Sequence, residues 1–354
     1  MKRIRKDSLK EVLKAWALDR TVIAPRRTER GECIYDIFDE AAFTFDIAKP
    51  SAPPKRSLFP QSEVIFQVEQ GGYRQVVSSS PDLLFGIRPC DHKGLLQSQS
   101  FMSQDLDDPY YRAKSDKVLT VVMACPGSMS PTCFCTTTSS GPWAESGFDL
   151  QLYDDGDAFL VEIGSERGFD LVSSGSFEDM DDTLAGEKIR AFQKEAGSRI
   201  PVIPEVESAM ERLESSNQAS DEVWKSFGKK CITCGGCSFV CPTCTCFTVS
   251  DRVVSAGTGD RIRSWDSCLY AGFTKEASGH NPRRTAALRI KRRYEHKLLH
   301  HKDRDHYGGL CTCVGCGRCS DYCPVHIGLI EAAQAICSAQ DSEGEEKRYS
   351  GGVS

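Results

Sequence analysis

The sequence predicts an α+β protein in which an N-terminal α/β domain with a mixed sheet precedes a smaller, mostly helical domain. Two observations predict this division. Helical and strand-like patterns alternate along residues 1–204. By contrast, 13 of the 18 cysteines fall in residues 229–354, which form little more than a third of the chain. A polar stretch rich in Glu and Ser, at 205–222, separates the two regions.

The N-terminal part combines short β-branched or aromatic runs with helical patterns that lie between or after them. The predicted strands are Thr21–Ala24, Glu63–Val68, Asp82–Ile87, Val118–Met123 and Phe159–Ile163. The predicted helices are Ser8–Leu18, His92–Gln97 and Gly186–Glu195. This mixture predicts a sheet that packs against helices, as in α/β domains.

The stretch at 205–222 predicts a connecting helix, because Val206, Met210 and Leu213 recur at helical spacing. A domain boundary is therefore expected near residue 225. The expected organisation is an α/β domain at 1–204, a connecting helix and linker at 205–228, a cysteine-rich domain at 229–337 and a disordered polar tail at 338–354.

Composition narrows the class of protein. The 354 residues are 40% hydrophobic and carry a formal net charge of −6, which is typical of a globular protein. No window approaches the ~20 apolar residues of a membrane span. The basic N-terminus is not followed by an apolar segment, so no secretory signal is expected, and disulfide-dense chains are usually much smaller. We therefore expect a cytoplasmic protein in a reducing, anaerobic setting.

Two cysteine motifs with the same spacing dominate the C-terminal region. Cys231, Cys234, Cys237 and Cys241-Pro follow the pattern C-x2-C-x2-C-x3-C-P, and Cys313, Cys316, Cys319 and Cys323-Pro repeat it. This spacing is typical of [4Fe–4S] ferredoxins, in which three thiolates wrap one face of a cubane and the fourth cysteine leaves the loop. Structural zinc prefers paired C-x2-C units, so the third cysteine and the Cys-Pro favour iron–sulfur clusters.

In two-cluster ferredoxins the fourth cysteine of each motif binds the other cluster. Carried onto this chain, one cluster would use Cys231, Cys234, Cys237 and Cys323. The other would use Cys313, Cys316, Cys319 and Cys241. Residues 229–337 are therefore predicted to form a two-[4Fe–4S], ferredoxin-like domain.

A long insertion, Pro242–Thr312, separates the two motifs and is expected to be helical, with a basic helix at Thr285–Leu299. Cys244, Cys246, Cys268 and Cys311 lie in or beside it, and each is either a ligand or a packed thiol. Arg283–Arg304 contains nine Lys or Arg against two acids. The acidic whole chain and the near absence of aromatics argue against nucleic-acid binding. A solvated helix face that offsets cluster charge or docks an acidic partner fits better.

A second group of cysteines follows two predicted strands of the N-terminal domain. Cys90 comes after the strand at 82–87, and Cys125 ends the strand at 118–123 and is followed by Cys133 and Cys135. If the two strands are parallel neighbours, all four thiols meet beyond their carboxyl ends. Two interpretations stay open: a third cluster, or four unrelated buried thiols. Cys33 has no other cysteine near it in the sequence and is expected to be structural.

Several motifs together resemble the iron–sulfur subunit family that includes the sulfhydrogenase β subunits and the corresponding iron–sulfur protein of anaerobic sulfite reductase. The N-terminal segments that carry the resemblance are Phe59–Glu63, Gly86–Asp91, Pro131–Cys135 and Val161–Ser165. The C-terminal segments are Trp265–Cys268, Phe273-Thr274, Gly279–Arg283 and the two cluster motifs. The resemblance covers most of the chain.

The resemblance implies an electron-transfer subunit that relays between a flavin- and NAD(P)-binding subunit and a catalytic partner. That partner would be a hydrogenase, a sirohaem sulfite reductase or a heterodisulfide-reductase-like enzyme. The chain lacks a G-x-G-x-x-G fingerprint, and no nucleophile–base or paired-carboxylate arrangement can be argued, so it is not expected to be catalytic alone. The alternative hypothesis is an enzyme subunit whose N-terminal domain binds flavin and reduces a soluble acceptor directly.

Overall fold

The computed structural model describes residues 1–46, 49–69, 71–78, 80–173, 176–216, 221–299 and 311–339. Three predicted features fall wholly or partly outside these ranges. The predicted tail is described only to residue 339, the linker lacks residues 217–220, and the basic segment is described only to residue 299. No described helix combines the length and apolar composition needed to cross a membrane.

The N-terminal half is organised around a mixed sheet, as predicted, and this sheet has eight strands. Its strands are β1 (Lys2–Arg5), β2 (Val22–Arg27), β3 (Cys33–Ile37), β6 (Leu83–Ile87), β7 (Leu119–Met123), β8 (Leu150–Asp154), β9 (Ala158–Ile163) and β10 (Glu178–Asp179). They lie in the order β10-β1-β9-β8-β7-β6-β2-β3. The four neighbours β2, β6, β7 and β8 are joined by parallel pairs, and the outer pairs are antiparallel.

The centre of the sheet explains how the N-terminal cysteines are placed. Strand β6 is buried along its whole length, as expected for a central parallel strand covered on both faces. It pairs in parallel with β7, with Leu83 opposite Leu119. Both strands therefore end at the same edge of the sheet, where Cys90 and Cys125 follow them.

A second sheet of four strands joins the N-terminal half to the insertion between the two motifs. It contains β4 (Ser62–Glu69), β5 (Gly72–Gln75), β11 (Phe247–Ser255) and β12 (Thr258–Trp265), in the order β11-β12-β4-β5. The insertion was expected to be helical, and this hairpin is a departure from that expectation. Its turn needs a positive φ, which Gly257 supplies at 77°.

The helices complete both halves of the molecule. They are α1 (Lys6–Trp16), α2 (Pro89–Met102), α3 (Pro109–Ser115), α4 (Glu166–Val172), α5 (Asp182–Ser198), α6 (Pro204–Ser216), α7 (Asp221–Lys230), α8 (Gly236–Phe239), α9 (Ala286–Leu298), α10 (Arg318–Asp321) and α11 (Leu329–Ser338). Helix α9 is the basic helix that the sequence predicts. Residues of α6, α7, α9 and α11 share one apolar core, in which Trp224 stacks on Tyr294 at 6.2 Å between ring centroids.

Candidate metal centres

The two cysteine motifs adopt the same backbone conformation. After the second cysteine of each motif, Gly235 and Gly317 both have φ of 72° and cap the short helices α8 and α10. One residue before that cysteine, Thr233 and Gly315 have φ of 53° and 59°. This left-handed region is rarely occupied by residues with a Cβ, so the shared geometry marks two copies of one folded loop.

The first cavity lies beside the first motif and is lined by Cys231, Cys234 and Cys237 together with Cys323 from the second motif. Apolar side chains close it, including Leu269, Ile290 and Tyr294. Cys323 reaches this cavity because α8 and α10 pack against each other. The fourth cysteine of one motif therefore lies with the first three of the other.

The second cavity has the reciprocal composition. Cys313, Cys316 and Cys319 line it together with Cys241 from the first motif. Burial raises the pKa of Cys316 to about 12 and also raises the pKa of Cys319. Iron binds cysteine as the thiolate, so cluster binding releases the protons of these thiols.

Backbone N–H groups point at the thiols as a cluster requires. Thr233 N–H donates to Cys231 Sγ, Gly315 N–H to Cys313 Sγ, and Ile327 N–H to Cys323 Sγ, each with a nitrogen–sulfur distance of 3.4 Å. Such hydrogen bonds stabilise the negative charge on cluster sulfurs and tune the reduction potential. The donor set and the thiols thus fit a [4Fe–4S] cluster in each cavity.

Two buried cations lie between and beside the cavities. Arg293 is 4% exposed and lines both of them, and its guanidinium donates to Cys237 O at 2.8 Å. Lys297 is 3% exposed, lines the second cavity and donates to the Thr243 hydroxyl at 2.7 Å. Within the described residues, neither cation pairs with a carboxylate. Because a buried charge is costly without an opposite charge, these side chains fit anionic clusters at their sides.

The sequence interpretation of α9 as a solvated face therefore needs correction. Arg289, Arg293 and Lys297 are all buried, and they follow each other at intervals of four residues. This spacing places them on one face of the helix, directed toward the motifs. The four-residue spacing of these three cations in the sequence could have indicated a buried basic face, but the high overall charge of the segment favoured a solvated helix.

The N-terminal thiol group, defined as Cys90, Cys125, Cys133 and Cys135, is brought together at the edge where β6 and β7 end. Burial raises the pKa of Cys135, and the nearby thiols of Cys125 and Cys133 raise it further. Burial likewise raises the pKa of Cys90, with Asp91, Cys316 and Cys135 contributing. Cys135 therefore lies near Cys125 and Cys133, and both Cys135 and Cys90 lie near each other and near Cys316 of the second cavity.

The loop that carries this group packs directly on the second motif. Phe134 N–H donates to Gly315 O at 2.8 Å. A Cβ on Gly317 would lie 2.1 Å from Thr132 O, so only glycine fits there. The side chain of Arg318, from the same motif, forms a bidentate ion pair with Asp91, the neighbour of Cys90. This loop and the start of α2 are thus tightly joined to the second motif.

The remaining cysteines fall into two groups. Cys244, Cys246 and Cys268 line a separate cavity with several basic residues. Cys33, Cys311 and Cys337 do not line any of the cavities described here, and Cys33 is part of the apolar core of the large sheet, as expected. Among the described residues, no three His, Cys, Asp or Glu side chains are grouped closely enough to hold one metal ion. The thiolates that bind a cubane lie farther apart than the ligands of a single metal ion, because each of the four binds a different iron.

Comparisons with known proteins agree with this geometry. The family model of a 4Fe–4S dicluster domain matches residues 230–327, which include both motifs. The chain is also 30% identical over 294 residues to the β subunit of sulfhydrogenase 2 from Pyrococcus furiosus, an alignment that covers 83% of this chain and 85% of that protein. No solved structure shows a significant match.

Proposed function

Because this chain belongs to the iron–sulfur subunit family of the sulfhydrogenase β subunits, as its motifs predict, we propose that it is the electron-relay subunit of a multisubunit anaerobic oxidoreductase. Its dicluster domain makes it an iron–sulfur protein of electron transport. In the proposed relay, a flavin- and NAD(P)-binding subunit lies on one side. A catalytic redox subunit, such as a hydrogenase, a sulfite reductase or a heterodisulfide-reductase-like enzyme, lies on the other.

The observation that carries the proposal is the pair of adjacent cavities with exchanged fourth cysteines. In this proposal Cys231, Cys234, Cys237 and Cys323 hold one [4Fe–4S] cluster, and Cys313, Cys316, Cys319 and Cys241 hold the other. Arg293 lines both cavities, which supports a short distance between the clusters. Two clusters in adjacent cavities are suited to transfer single electrons from one to the other.

We further propose a third cluster at the N-terminal thiol group. Its position supports this, because Cys90 and Cys135 lie within electrostatic reach of Cys316 in the second cavity. An electron would then have a continuous route from the N-terminal domain through the second cavity to the first. We also propose a cytoplasmic location, since none of the 18 cysteines, all described, forms a disulfide.

Substituting Cys90 tests the third cluster. Cys90→Ser is expected to lower the iron and the acid-labile sulfide of the anaerobically purified chain by about four per molecule each, because one cubane loses a ligand. Cys33→Ser is the matched control, since Cys33 is a buried thiol of the same domain that packs in the sheet core. An iron content equal to that of the control would show that the four thiols hold no cluster.

The relay itself is tested on the purified full chain, first by itself and then with the other proteins of its native complex. We expect reduction by dithionite to give iron–sulfur EPR signals, no extractable flavin, and no reduction by NAD(P)H until the flavin-binding subunit is added. Stoichiometric flavin in the isolated chain, or direct reduction of a soluble acceptor by NAD(P)H, would contradict the relay and favour the flavin-binding enzyme subunit.

A further inference from the structure

Three cysteines that neither motif uses converge at the foot of the β11–β12 hairpin. Cys244 and Cys246 continue the first motif directly into β11, whose first residue Phe247 pairs with Trp265 of β12. The pairing brings the chain beyond β12 back beside Cys246, where Asp266 N–H donates to Cys246 O at 3.0 Å. Cys268 follows two residues later. The hairpin therefore closes a loop that returns a third thiol to the other two.

These thiols share one cavity, which we name the hairpin cavity. Cys244, Cys246 and Cys268 line it, together with Arg293, His296 and Lys297. Cys244 is buried, and Cys246 and Cys268 are half-buried. The cavity is distinct from the first and second cavities, because none of its three thiols lines either of those.

Buried positive charge surrounds the same segment. Lys55 is 3% exposed and donates to Cys244 O at 3.0 Å, while Lys297 donates to Thr243 O at 3.3 Å. Arg293 Nη1 lies 3.6 Å from Cys244 Sγ, and no described residue forms a hydrogen bond with its buried Nε. Within the described residues, none of the three cations pairs with a carboxylate.

Burial lowers the pKa of Lys55, and Cys244 is the first of the thiols that raise it, ahead of Cys241 of the second cavity. Unlike the other two cations, Lys55 lines neither the first nor the second cavity and reaches the backbone of Cys244 instead. Lys55 also lies over the Trp265 ring at 4.2 Å, which holds its ammonium beside the foot of the hairpin. A buried ammonium in this place is stabilised when the thiols beside it carry negative charge. Thiolates do so when they bind a metal.

We propose that Cys244, Cys246 and Cys268 hold a further iron–sulfur cluster in the hairpin cavity. Three thiolates would bind three of its irons, and the fourth iron would have no cysteine ligand from this group. Lys55, Arg293 and Lys297 supply the opposite charge. The site adds a cluster next to the two of the ferredoxin-like domain and does not depend on the N-terminal thiol group.

Iron and acid-labile sulfide per chain test the proposal on anaerobically purified full-length protein. Cys244→Ala, Cys246→Ala and Cys268→Ala are each expected to lose about four irons and four sulfides. The double variant Cys246→Ala/Cys268→Ala should lose the same four, because both thiols serve one cluster. Cys337→Ala is the matched control, since Cys337 lies on α11 outside every cavity described, and it should lose none.

A measurement on the wild-type chain guards against variants that simply misfold. Iodoacetamide should leave Cys246 and Cys268 unlabelled in the purified protein and should label both after a chelator has removed the iron. Cys337 should be labelled in both states. Equal labelling of Cys246 and Cys268 before and after iron removal overturns the proposal, as does unchanged iron in all three single variants or the loss of zinc in its place.

The outcome is separable from that of the proposed relay. Cys246→Ala and Cys268→Ala leave intact the eight motif cysteines and also Cys244, whose thiol lies beside that of Cys241, so the EPR signals of the clusters in the first and second cavities should remain in these two variants. Loss of those EPR signals only when motif cysteines are substituted tests the proposed relay. Loss of four irons in the hairpin variants alone reports on the hairpin cavity.

Discussion

Asp91→Ala is expected to lower the free energy of unfolding by about 3–5 kcal/mol, because it leaves a buried guanidinium without its carboxylate. Asp91 accepts from Arg318 Nη1 at 2.6 Å and from Nη2 at 2.8 Å, and both side chains are completely buried. Arg318 also donates to Pro50 O at 2.8 Å, and Tyr35 donates to Asp91. The charge of the buried guanidinium is balanced in this network only while the Asp91 carboxylate is present.

The effect should extend to the clusters, since this ion pair joins two thiol sites. Asp91 follows Cys90 in the first turn of α2, and Arg318 lies between Cys316 and Cys319. Denaturant unfolding of the anaerobic holoprotein, followed by circular dichroism and by cluster absorbance, measures both losses. The control is Asp251→Ala, which removes an exposed pair with Arg261 and should leave the unfolding midpoint unchanged. Equal midpoints for the two variants would contradict this role.

Glu63→Ala is expected to have a comparable or larger effect, because one carboxylate neutralises two buried cations. Glu63 Oε2 accepts from Lys114 at 2.7 Å, and Oε1 accepts from Arg263 Nη2 at 2.6 Å. The exposed fractions of the three side chains are 2%, 1% and 4%. Removing the carboxylate leaves Lys114 without its ion pair and deprives Arg263 of one of its two, at a cost of at least about 3–5 kcal/mol.

This network fixes the hairpin to the N-terminal half. Glu63 on β4 is the register partner of Arg263 on β12, and Arg263 also pairs with Asp108. Thermal unfolding should therefore occur at a clearly lower temperature in Glu63→Ala than in wild type. The matched control is Glu69→Ala, at the exposed end of the same strand. A Glu63→Ala variant that unfolds together with this control would show that the network does not hold the sheet.

Short sequence patterns predicted the features that depend on residues close together in the chain, namely the cysteine motifs and the buried strands. The cysteine spacing identified both motifs, and the apolar runs of β6 and β7 identified the central strands, because burial on both faces selects such residues. The order of these strands then explains why Cys90 and Cys125 meet. The family resemblance was carried by short segments such as Gly86–Asp91 and is confirmed by the relative from Pyrococcus furiosus.

The hairpin and the ion pairs could not be read from local patterns. Strand β11 is exposed along its whole length, so it lacks the apolar alternation that marks a half-buried strand. Asp91 and Arg318 are 227 positions apart, and only the folded chain shows that they meet. Buried Lys297 looked like a surface residue of a basic helix, since the groups that its ammonium contacts, the carbonyl and hydroxyl of Thr243, lie on another segment.

The central claim is that the two motifs exchange their fourth cysteines, and iron counts on paired variants test it most directly. Cys231→Ser, Cys323→Ser and Cys241→Ser are each expected to lose one cubane, about four irons. The double variant Cys231→Ser/Cys323→Ser should lose no more than either single variant, because both thiols line the first cavity. Cys231→Ser/Cys241→Ser should lose about eight irons. The opposite result, with about eight irons lost from the first double variant and about four from the second, would contradict the exchange.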